Sequence, residues 1–163
     1  MFNEGAKKFL EDLGSALSEQ VIRWYIVEDE YPTLIFEKPS VFDKTENMVF
    51  AVTMSPVEDE MILFDLLITV MSHIPEECFG EIHRLSEDVN NACMIGKFLL
   101  FEDMADLVCS HGIIFDAASP AGETAVNIMS SLGIMEFYAI KFGARVYEKL
   151  YGDPENDEND NDM

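Results

Sequence analysis

Three cysteines and three histidines are the residues of this 163-residue chain best suited to metal binding or nucleophilic chemistry. Cys78, Cys93 and Cys109 form no C-x2-C pair, and His73, His83 and His111 supply no H-x3-H partner to complete a zinc set. Cys109 and His111 are two apart, so an extended backbone puts them on one face. That placement suits two metal ligands, a thiolate with its base, or ordinary half-buried sheet positions. Nucleophile–base pairs are rarely strand neighbours pointing in parallel, and neither residue is assigned a catalytic role. Glu58-Asp59-Glu60 reads as the decoration of a turn, where no cleft separates two carboxyl pKa values for acid–base work. Asp157-Glu158-Asn159-Asp160-Asn161-Asp162 looks superficially like a calcium loop. It lacks the Gly at the sixth position, the closing Glu and the second helix. The chain has no G-x-S-x-G, H-E-x-x-H, P-loop or G-x-G-x-x-G. No catalytic, cofactor or metal site is predicted.

Composition narrows the classes further. Hydrophobic residues make up 48%, enough for one globular domain that needs no covalent staples. The formal charge is −22, from 10 basic and 32 acidic residues. Such a surface repels phosphate backbones and anionic lipid, so neither nucleic acid nor membrane is an expected partner. No apolar run reaches the length of about eighteen residues that a spanning helix needs. Met1-Phe2-Asn3-Glu4-Gly5 shows no basic n-region, and an odd cysteine count without a leader predicts reduced thiols in the cytoplasm.

The elements follow from periodicity. Asn3 suits the cap of a first helix over residues 4–20, with Phe9, Leu10, Leu13 and Leu17 as its apolar stripe. Val21–Val27 reads either as a short strand or as an extended lead-in to the sheet. Thr33–Glu37, Met48–Met54 and Met61–Thr69 are strands, the last a buried central one. Ile74-Pro75-Glu76-Glu77 opens a helix whose apolar face is Phe79, Ile82, Leu85, Val89 and Ala92. A hairpin follows, GKFLLFED (Gly96–Asp103) with DLVCSHGIIFD (Asp106–Asp116), joined around Glu102-Asp103-Met104-Ala105-Asp106 by a loop longer than two residues. A last helix runs from Glu123 or Thr124 to Tyr151. Val126, Met129, Ile134, Phe137, Tyr138, Phe142, Val146 and Leu150 form its surface, and Gly133 is a candidate break. The ten methionines suit core filling, or an adaptable groove. Residues 153–163 are an acidic segment expected to be a disordered tail behind a single domain over 1–152.

Ile74-Pro75-Glu76, Asn90-Asn91, Gly96-Lys97-Phe98 and the apolar hairpin after them resemble the YbjN domain, a bacterial family with the fold of the type III secretion chaperones. Arg23-Trp24-Tyr25 is similar to the segment that opens these domains, and the likeness extends in element order over roughly Trp24 to Tyr151. The hairpin loop departs from the pattern in having no Gly, and no Pro lies between Pro120 and Pro154. The resemblance implies a small acidic cytoplasmic protein that binds other proteins, pairs with itself and carries no catalytic site.

Pattern alone predicts an α+β domain, an antiparallel sheet of about five strands with three helices in the order α-β-β-β-α-β-β-α. With the resemblance, the expectation is a chaperone-like or regulatory protein binder that forms a homodimer through Phe79, Ile82 and Phe98. The alternative is a small-molecule sensor or enzyme with a pocket near Cys109 and His111.

Overall fold

The computed structural model describes residues 2–58 and 60–152. Asp59 and the acidic segment 153–163, expected as a tail and weighed as a calcium loop, lie outside the described residues. The chain runs α1 (Phe2–Leu17), β1 (Arg23–Glu28), β2 (Pro32–Pro39), β3 (Asn47–Pro56) and β4 (Met61–Met71). A 3-10 turn at Glu76–Cys78 leads into α2 (Phe79–Ala92), then β5 (Lys97–Phe101), β6 (Asp106–Asp116) and α3 (Ala121–Tyr151). Six strands form one sheet in the order β1-β2-β3-β4-β6-β5, every neighbouring pair antiparallel. The α+β class and three helices are as expected, and the sheet gains one strand. Arg23–Glu28 pairs with β2 over its whole length, from Arg23↔Glu37 to Glu28↔Pro32, so it is a strand and not a lead-in.

Strand alternation sends one set of residues inward. Leu34, Phe36, Phe50, Val52, Phe64, Leu66, Ile68, Leu107 and Cys109 all belong to one buried core, into which the three helices also pack. Phe36 and Phe50 stack there with ring centroids 4.7 Å apart. The α1 stripe enters the core through Leu10, Leu13 and Leu17, and Phe9 tilts against Phe64 at 5.6 Å. Asn3 sits inside α1 rather than capping it, and its Nδ2 donates to the Glu30 carbonyl at 3.3 Å. Gly14 belongs mid-helix because the Trp24 indole lies against it. A Cβ there would stand 2.5 Å from Trp24 Cε3.

Helix α3 continues through Gly133, since Leu132 and Met135 on either side are anchored in the core. Its buried stripe is Ile128, Leu132, Met135, Ala139, Phe142 and Val146. Val126, Ile134 and Phe137, expected with that stripe, face outward at 64, 42 and 56% exposure. The helix has apolar residues on more than one side, and periodicity alone could not tell which side meets the sheet. Among the described residues no helix is long and apolar enough to cross a membrane.

Candidate interaction surface

Cys109 and His111 do share the inner face of β6, as their spacing requires, but they do not make a reactive pair. Cys109 is fully buried, and burial pushes its thiol up to about 12, so no thiolate is on hand at neutral pH. Its sulfur packs under Gly96, where a Cβ would come within 2.9 Å. His111 is half-buried and pairs across the ladder with Leu66. Neither residue lines the recess between α1 and the start of α3 or the one between α2 and α3. His83 is exposed on α2, where Nε2–H donates to Glu102 Oε1 at 2.7 Å. Cys78 and Cys93 are half-buried thiols, and burial raises the pKa of Cys93. Among the described residues no three metal-capable side chains cluster.

The residues expected at an interface fall out differently. Ile82 and Phe98 are core residues, each 1% exposed, and Phe98 lies 4.6 Å from the ring of Phe142. Only Phe79 is half-buried. The apolar stripe of α2 turns toward the sheet because α2 packs along β5. Asn90 fixes that contact by bonding the backbone of Phe98 through both its amide atoms. A side chain already used to hold α2 on the sheet presents no surface to a second chain.

The sheet's other face offers what these residues do not. Register places its side chains in rows across the strands. One row is Tyr25, Ile35, Ala51, Leu67, Ser110 and Lys97. Beside it run Arg23, Glu37, Val49, Thr69, Val108 and Leu99. On the other side come Val27, Thr33, Thr53, Asp65 and Gly112, and beyond them Leu63 and Ile114. The helices occupy the opposite face, so this one is open. Tyr25, Val27 and Leu99 are 42–43% exposed and Ile114 is 55% exposed, while Ile35, Val49, Leu63 and Leu67 are half-buried by their neighbours. Val108 is 1% exposed yet stands outside the core cluster.

Arg23, Thr33, Glu37, Thr53, Asp65, Thr69, Lys97 and Ser110 are the polar residues of these rows, interspersed with the apolar ones. At one corner Arg23 Nη2 donates to Glu37 Oε1 at 2.7 Å, and Asn47 Nδ2 donates to Glu37 Oε2 at 3.4 Å. Thr33 and Thr53 share a 2.8 Å hydroxyl hydrogen bond across β2 and β3. Asp65 is exposed in the middle of β4 and forms no ion pair among the described residues. An open sheet surface that mixes exposed apolar side chains with hydroxyls and one central carboxylate can pack against another protein surface and accept one cation.

The signal for this surface was present in β4, whose residues from Met61 to Met71 are apolar at both parities apart from Asp65 and Thr69. Such a run reads as a strand covered on both sides. The strand is indeed central, but three helices cover only one of its faces. Comparison with models of known protein families matches none of them, and comparison with curated proteins finds no match.

Proposed function

We propose that this chain is a non-enzymatic protein-interaction module that holds another protein against the open face of its sheet. The observation that carries the proposal is that face itself, which shows apolar side chains on every strand from β1 to β6, among them exposed Tyr25, Val27, Leu99 and Ile114, and is covered by no helix. Exposed apolar surfaces mark association sites, because water gains by their burial. The formal charge of −22 favours a partner less acidic than this chain, with a Lys or Arg opposite Asp65. The burial of Cys109 weighs against a catalytic or sensor pocket built on it and His111.

The resemblance to YbjN domains, carried by Ile74-Pro75-Glu76, Asn90-Asn91 and Gly96-Lys97-Phe98, supports a chaperone-like or regulatory role. It also supports self-pairing, with Tyr25, Leu99 and Ile114 in place of Ile82 and Phe98 as the contact residues. A cytoplasmic setting agrees with three thiols held apart as free cysteines.

The test is affinity purification of the tagged full chain from its source cells, beside a Leu99→Glu/Ile114→Glu variant of equal melting temperature. A protein retained by the wild type and lost by the variant is expected. Retention by both in equal amount sinks the assignment to this face.

A further inference from the structure

The ten basic residues are unevenly used. Lys7, Lys8, Arg23, Lys38 and Arg84 each pair with a carboxylate. Lys141 and Arg145 pair with none among the described residues. They lie one turn apart on the same side of α3, at the rim of a groove of about 670 Å³ between α2 and α3. Val89 and Ala92 of α2 and Tyr138 and Phe142 of α3 line its apolar part, and the Cys93 thiol stands in its wall. Lys141 Nζ also rests 5.1 Å from the centre of the exposed Phe137 ring, one turn back along α3. Asp88 also lines the groove, but its carboxylate is 3.6 Å from Arg84 Nη1, so the unpaired charges there are both positive.

We infer that this groove binds a small amphiphilic carboxylate, its head between Lys141 and Arg145 and its apolar body along Val89, Ala92 and Phe142. Size sets the class. The lining stretch of α3, residues 138–145, is about 10 Å long, which suits an apolar body of about eight carbons and not an extended peptide. Charge sets the head group. Cations at (i, i+4) spacing are neighbours on the helix surface, and the arginine fork matches a carboxylate. A single negative charge is repelled less than a phosphate dianion by a chain of formal charge −22. The site is separate from the open sheet face and does not depend on it.

Titration calorimetry of the intact chain with octanoate, and with octyltrimethylammonium as the cation of matched length, tests the assignment. Saturable binding of octanoate is expected, weakened about tenfold or more by Lys141→Gln/Arg145→Gln. Unchanged affinity in that variant, equal or tighter binding of the cation, or no saturation by octanoate overturns it. A second measurement leaves the groove's charges in place. In a Cys78→Ser background, octanoate is expected to slow alkylation of Cys93, and alkylation at an unchanged rate under saturating octanoate also overturns the inference.

Discussion

The side-chain amide of Asn90 completes both backbone hydrogen bonds of Phe98. Asn90 Oδ1 accepts from the Phe98 N–H at 2.6 Å, and Asn90 Nδ2 donates to the Phe98 carbonyl at 2.8 Å. Phe98 lies on β5, the last strand of the sheet, whose outer side has no strand to pair with. The carboxamide therefore stands in for one peptide unit of a missing neighbour, and it ties α2 to the sheet. Lys97 Nζ adds a third link by donating to the Asn90 carbonyl at 2.7 Å.

Replacing Asn90 with Ala leaves two backbone groups without partners, and a loss of about 2–3 kcal/mol in urea unfolding is expected. Asn90→Asp is expected to be at least as damaging, because it keeps the acceptor but sets a carboxylate oxygen against the Phe98 carbonyl. An Asp variant as stable as the wild type would rule out the two-sided bond.

The β5–β6 loop carries a correctable strain. Ala105 has φ +56, a left-handed conformation that costs a residue with a Cβ about 1–2 kcal/mol. This is the loop in which the resembled family's Gly is missing. Ala105→Gly relieves the strain but loosens the unfolded chain, so a net gain of about 0.5 kcal/mol is expected. Thermal or urea unfolding showing a loss would contradict this account of the loop.

Glu37 gives the protein a pH-dependent contact. The hydrogen bond from Arg23 holds its carboxyl below the ordinary value of 4.5; burial opposes that, while the charge of Arg23 and the bond from Asn47 reinforce it. With the folded pKa depressed, the contribution to stability is complete above the unfolded value and is lost as pH falls through the folded one. The melting-temperature advantage of the wild type over Glu37→Gln is therefore expected to hold near neutrality and shrink below about pH 4.5. A gap that stays constant down to strongly acid pH would remove the ion pair from the account.

How far the sequence could be read depended on whether a pattern had one solution. Leu10, Leu13 and Leu17 had one face to bury, and they bury it. Ile82 and Phe98 were equally legible as apolar, but apolarity does not say whether the surface that covers a residue belongs to its own chain. Asn90 entered the sequence reading as part of a family resemblance, whereas it lies in the last turn of α2 and its amide serves the next strand. That role depends on a contact across eight residues that no local propensity reports. Val126, Ile134 and Phe137 could not be told from the buried stripe because α3 is apolar on several sides, and only the position of the sheet decides which side is inside.

Core and face can be separated by placing the same charge on each. Ile82 is 1% exposed, and Ile82→Asp buries a carboxylate with no partner, so loss of the folded state is expected. Ile114 is 55% exposed on the open sheet face, and Ile114→Asp is expected to shift stability by no more than about 0.5 kcal/mol. If two copies pair through that face, each brings a formal charge of −22, and their repulsion must be overcome by apolar contact. Added salt shortens the Debye length from about 10 Å at 0.1 M toward about 3 Å at 1 M and weakens that repulsion. Dimer affinity is thus expected to rise with ionic strength in the wild type and to fall sharply in Ile114→Asp at every salt concentration. Sedimentation at several salt concentrations decides it. A wild-type chain that stays monomeric at high concentration and moderate salt removes self-pairing, and a dimer untouched by Ile114→Asp moves it off the sheet face.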